Sequence, residues 1–148
     1  MATGFDLIVQ DSDMQKQWLS RIFAAIIDVI IVLLPVYIIM VLVGWMAGLA
    51  WFMGAIVSGF IWFAYSAILE YSDGATIGKK LLGLRVVSVQ GNRLEMYETM
   101  MRNLTKVFFA FLIADFLLAL LLETTDPRQK FTDRIAKTTV ITERKVLY

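Results

Sequence analysis

Long uncharged apolar runs alternate with short polar segments along this chain. Ile22 to Val43 is a 22-residue apolar run with one charge, Asp28, and Leu49 to Leu69 holds 21 residues with none. A third run lies between Lys106 and Glu123, with Asp115 in its middle. About 20 consecutive apolar residues span the ~30 Å hydrocarbon core of a bilayer. The pattern predicts an all-α membrane protein, one domain over 1–148. Its helices are expected at about 18–43, 49–71 and 104–123, with a polar connector (72–103) and a polar tail (124–148). The third run has 16 residues, about 24 Å of helix, so it is short for a span. It has no Gly or Pro, which predicts one short crossing helix continuous with the stretch before it. There Met96, Met100 and Leu104 recur at helical spacing on one face.

Local signals refine this outline. Asp11-Ser12-Asp13 can cap a helix starting near Met14, and Trp18 suits a membrane interface. Pro35 predicts a kink. Gly44 to Gly48 reads as a short turn. Gly54 with Ser58, and Ala55 with Gly59, predict close packing of the first two helices. Asp73-Gly74 signals a turn. Leu84 to Val89 is a strand candidate, as is Thr138 to Thr142, and the two could pair.

Composition agrees: 59% of residues are hydrophobic and the mean hydropathy is +0.70. The net charge of +1 gives no reason to expect nucleic acid. Without cysteine or histidine there is no disulfide framework, thiolate nucleophile or imidazole base, and no metal or cofactor is expected. The first helix should remain as an anchor, since Asp6, Asp11 and Asp13 precede a run too long for a signal peptide. Lys and Arg number two before the first run, none in the first turn, six over 72–106 and six after the third run. The positive-inside rule then places the N-terminus and connector in the cytoplasm. Three crossings would put the basic tail outside, against the same rule.

Asp28 is the main chemical candidate. A carboxylate at a helix centre costs about 2.5–3.5 kcal/mol on insertion scales and is a functional-site hypothesis by default. Its two readings are an ion or proton site and a structural hydrogen bond. Arg21 lies two turns away, about 10.5 Å along the axis, too far for an easy direct pair. It must find another partner or snorkel to lipid phosphates. Asp115 raises the same question as Asp28, whereas Glu70, beside Tyr71, is expected at the interface. Gly74 to Lys80 is not a Walker A loop: three residues separate its glycines and Lys80 stands where Ser or Thr is required. Lys79, Lys80, Arg85 and Arg102 are expected to touch lipid or another subunit. No residue set supports catalysis, so no enzyme is predicted.

Three motifs together resemble the RDD family of small membrane proteins. They are Trp18-Leu19-Ser20-Arg21-Ile22 through Asp28, Gly74 to Val87, and Phe131-Thr132-Asp133-Arg134-Ile135-Ala136. The resemblance covers about residues 16–142 and implies that Arg21, Asp28 and Asp133 are the signature charges. Two positions depart from the family pattern: Thr132, often His, and Lys137, often Gly. The resemblance implies transport of ions or small solutes across the cell membrane, with cation/proton exchange on Asp28 the most concrete form. Three short helices enclose little volume, so a homo-oligomer is expected. The alternative is a structural or adaptor subunit of a membrane complex, with the three charges locking the fold. In either case Asp133 is the expected partner of Arg21, and Asp28 is left facing other helices or subunits.

Overall fold

The computed structural model describes residues 3–43 and 49–143. The expected turn at Gly44 to Gly48 lies outside them. A short helix α1 (Gly4–Gln10) precedes α2 (Ser12–Leu42). The Asp11 side chain caps α2 by accepting from the Asp13 and Met14 amides, satisfying donors that a helix start leaves open. Pro35 lies within α2 without ending it. At 31 residues α2 is about 46 Å long, more than a bilayer core requires. Helix α3 (Leu49–Asp73) follows. Both are long and apolar enough to cross a membrane.

The connector holds helix α4 (Ile77–Leu81), strand β1 (Leu84–Ser88) and helix α5 (Met96–Asn103). In the tail, helix α7 (Phe131–Ile135) precedes strand β2 (Thr138–Thr142). The strands form a two-stranded antiparallel sheet in which Val86 faces Val140. Both valines pack with Leu84 and Ala24, so the sheet sits on the first third of α2.

The third apolar run departs from its expected form. A 3-10 turn (Leu104–Val107) follows α5, Phe108 adopts extended backbone, and α6 (Phe109–Leu121) leaves at 113°. The expected continuous helix is therefore a bent pair, a third span by length and composition only if both parts count as one. Contacts trace its path. Asn103, Lys106 and Val107 meet Glu70, Ser66 and Gly59 in turn, so this arm descends along α3 from the connector end. Leu112 then packs on Val32 and Trp62, and Ala119 on Trp18 and Ile8, so α6 climbs back along α2. Both ends of the pair lie at one end of the molecule, and the tail returns beside the connector. Among the described residues, the basic tail and the basic connector therefore share one end.

Two causes of the bend can be named. Thr99, Arg102, Asn103 and Lys106 form a polar stripe that is buried, whereas Met96, Met100 and Leu104 face outward. The apolar face that the helical spacing marks is therefore the exposed one. The polar stripe follows its partners on α3 only as far as Lys106. At Gly59 the Val107 carbonyl then approaches to 2.1 Å from where a Cβ would stand, a contact only glycine permits. Gly59 thus serves the bent segment rather than the α2–α3 contact expected of it, while Gly54 does face Met40 of α2.

Candidate functional site

Nine ionisable side chains gather where α2, α3, α4, α5 and α7 meet, and eight of them are buried. Arg21, on α2, donates to Asp133 Oδ2 at 2.7 Å and also to the Arg128 carbonyl. Its guanidinium lies 5.2 Å from the centre of the Trp18 ring. Arg102, on α5, bridges two carboxylates, Asp133 Oδ1 at 3.1 Å and Glu70 Oε2 at 3.3 Å. Glu70 also pairs with Lys79 and accepts from Asn103 Nδ2 at 2.7 Å. The chain Arg21–Asp133–Arg102–Glu70–Lys79 thus ties α7, α5, α3 and α4 to α2.

The surroundings set the ionisation of the groups outside the apolar helices. Burial opposes charge on Asp133, but Arg102, Arg21, Lys130 and Lys79 outweigh it and hold the carboxyl below its ordinary range. Burial draws the Lys79 ammonium down to about 8, against the pull of Glu70.

Asp28 is 1% exposed, and its partners come from this chain. Thr76 Oγ1 donates to Oδ2 at 2.6 Å; the Gly78 amide and Tyr65 hydroxyl donate to Oδ1 at 2.9 and 3.0 Å. The carboxylate therefore receives the start of α4. Gly78 makes this possible, since a Cβ there would lie 2.3 Å from the Ala24 carbonyl and 3.0 Å from Asp28 Oδ1. Asp28 was expected to face other helices or subunits; within this chain it meets Tyr65 of α3, and the connector folds back over it. Its donors are neutral, and two of the three, Thr76 and Gly78, lie in the motif between Gly74 and Lys80.

Asp115 belongs to a second knot. It accepts from Lys130 Nζ at 2.6 Å, from the Thr132 amide and hydroxyl at 2.7 and 2.8 Å, and from Thr105 Oγ1 at 3.3 Å. Thr132 therefore serves Asp115, while Asp133 draws its charge partners from Arg21 and Arg102. Lys137 has φ +53° just after α7, the left-handed region that glycine adopts without steric cost.

Several expected positions change. Glu70, expected at the interface, is fully buried because three donors converge on it. Arg102, expected against lipid or a subunit, is 1% exposed because Glu70 and Asp133 hold it, and Lys79 is drawn inward by Glu70 to 12%. Lys80 and Arg85 stay at the surface, paired with Asp73 and Glu143. Sequence reasoning missed Glu70, Asn103, Lys106 and Lys130. The signal available for two of them, Asn103 and Lys106, was the helical spacing of Thr99, Arg102, Asn103 and Lys106, a polar stripe inside an otherwise apolar region.

A cavity of about 30 Å³ lies at the centre, bounded by Arg21, Asp28, Trp62, Arg102 and Lys106, with Lys79, Asn103 and Lys130 completing its polar wall. That volume holds one or two waters, at about 10–15 Å³ each. Lys106 donates to Ser66 Oγ at 2.7 Å and stands 5.2 Å from the Trp62 ring centre. Trp62 and Lys106 also border an apolar groove of about 300 Å³ between α2 and α3. Among the described residues, no group of His, Cys, Asp or Glu has the makings of a metal site.

A model of the RDD family matches residues 16–137, which include Arg21, Asp28 and Asp133. No curated protein and no solved structure matches the chain.

Proposed function

The chain belongs to the RDD family, and from that premise we propose that it moves ions or small solutes across a membrane as an assembly of several copies. The observation that carries this reading is the small polar cavity walled by Asp28 and five cationic side chains beside the bend at Phe108. Backbone that leaves the helix at membrane depth is tolerated where it is buried in protein or lines a cavity, and broken helices commonly border ion sites in transporters. The groove that shares Trp62 and Lys106 with the cavity supplies an approach between α2 and α3. The apolar faces of α2 and α3 are mostly exposed within one chain, which leaves room for neighbouring copies and lipid. The N-terminus and connector face the cytoplasm of a cell membrane in this reading. The return of the tail beside the connector supports that orientation, because it gathers basic segments at one end.

Asp28 borders the cavity in this reading and holds Thr76 and Gly78 against α2. A second reading, a structural or adaptor subunit, is favoured by the internal partners that Arg21, Asp28 and Asp133 all have. Flux in proteoliposomes separates the two. Cation/proton exchange and halide flux are measured for the wild type and for Asp28→Asn. Transport predicts flux in the wild type and at least about a tenfold loss in a variant that stays monodisperse in detergent. A wild type that moves none of these ions, with a variant that no longer yields folded protein, would sink transport and leave the structural reading.

A further inference from the structure

The same cavity has an unbalanced wall. Arg21, Lys79, Arg102, Lys106 and Lys130 contribute five cations to the buried cluster, against four carboxylates from Asp28, Glu70, Asp115 and Asp133. One positive charge is in excess when all are ionised. Four of the cations are paired: Arg21 and Arg102 with Asp133, Arg102 and Lys79 with Glu70, and Lys130 with Asp115. Lys106 has no ion pair among the described residues, and its hydrogen bond goes to the neutral Ser66 hydroxyl. A buried charge without a counter-charge costs several kcal/mol.

Buried polar atoms without a hydrogen-bond partner include both donors and acceptors, among them Asp133 Oδ1 and Thr138 Oγ1, but those on the residues that line this cavity are donors. Trp62 Nε1 and Arg102 Nη1 are buried N–H donors with no acceptor, and both residues line the cavity together with Lys106. The acceptors on the wall are Asp28, whose two oxygens already take three hydrogen bonds, and the Asn103 amide oxygen. Excess positive charge, orphaned donors and room for a particle of one or two water volumes coincide at one place.

We infer that this cavity binds a small monovalent inorganic anion of halide size, held by Lys106, Trp62 Nε1–H and Arg102 Nη1–H. The inference rests on the reading of the cavity as the ion site and turns its selectivity from cations to anions. An anion there supplies the missing counter-charge to Lys106 and the missing acceptor to both orphaned donors. A cation would meet five like charges and a carboxylate already satisfied. Two water molecules would satisfy the donors but leave the charge in excess.

The test is thermal unfolding of the detergent-purified full chain in sodium chloride, bromide or gluconate at constant ionic strength, with crystals grown in bromide. The expected result is a saturable rise of Tm in halide over gluconate, since a ligand of the native state stabilises it by mass action. An anomalous bromide peak within hydrogen-bond distance of Trp62 Nε1 should accompany it. Lys106→Met, which removes the excess charge, should abolish the halide dependence. Trp62→Phe keeps the ring and removes the donor, and it should weaken halide affinity about tenfold even if Lys106→Met fails to fold. Equal Tm in halide and gluconate overturns the inference, as does ordered water in place of bromide or unchanged halide affinity in Trp62→Phe. Bound halide with no flux in proteoliposomes upholds the anion site and removes transport. Flux with no halide dependence of Tm does the reverse.

Discussion

The two ends of the α2–α3 pair are built on different principles. At the connector end, α2 buries Gln17, Trp18, Arg21, Ala24, Asp28 and Val32, and the partners reach in from four other elements. Beyond Val32, Ile38, Ile39, Val41, Leu42 and Val43 are exposed, as are Trp51, Phe52 and Met53 across from them. Between the helices Tyr37 and Trp51 meet edge to face, and Met40 lies over Gly54. The connector end is specified by directional polar bonds, whereas the far end is specified mainly by being apolar, which a bilayer satisfies without a particular partner. Substitutions should therefore be sharply felt at one end and tolerated at the other.

The largest effect should come from Asp133→Ala, which leaves Arg21 and Arg102 buried with a partner removed. Losing one member of a buried pair costs about 3–5 kcal/mol, read as a large fall in Tm in detergent. The same carboxylate sets an acid limit. Its folded-state pKa lies below the ordinary 3.8, so its contribution is present above that value and lost as pH falls below it. Unfolding followed from pH 7 to pH 2 should show that loss in the wild type and a flatter profile in Asp133→Ala. Equal profiles would mean that Asp133 does not tie the connector end together.

A pair of glycines gives the next contrast. Gly78→Ala drives a methyl group into the Ala24 carbonyl, a backbone atom that cannot swing away, and lifts α4 off Asp28. It should cost about 1–3 kcal/mol, as overpacking does. Gly54→Ala meets the mobile end of Met40 instead and should cost well under 1 kcal/mol. If the two lose equal stability, the contrast between the ends is wrong. The smallest effect is a gain. Lys137→Gly relieves the φ of +53° and should stabilise by about 1 kcal/mol, measurable as a modest rise in Tm.

The first two membrane helices and the two strands were legible because each depends on residues close in sequence, an uncharged run or a β-branched alternation. The pairing of residues 84–88 with 138–142 was expected because these were the two strand candidates. The RDD pattern named Arg21, Asp28 and Asp133, and the first and third do meet. The bend at Phe108 was hidden because no Gly or Pro marks it. Its causes lie on α3, in Gly59, Ser66 and Glu70, far along the chain. The outward orientation of Met96, Met100 and Leu104 was not legible for a related reason. A periodic apolar face shows which residues share a side, but in a bilayer that side can point outward, because lipid is as apolar as a protein core.

The sequence by itself determined that this chain is a membrane protein, where its apolar helices lie, and that a few charges sit among them at a cost. Only the tertiary structure decided how those charges are answered. Asp28 is met by neutral donors of the connector, Asp133 by Arg21 and Arg102, Asp115 by Lys130 and Thr132, and Lys106 by no carboxylate among the described residues. Hydrophobicity is a property of a segment and can be read along the chain. A hydrogen bond or ion pair joins two positions, and the folding that brings residue 28 to residue 78, or residue 21 to residue 133, leaves no mark on either alone.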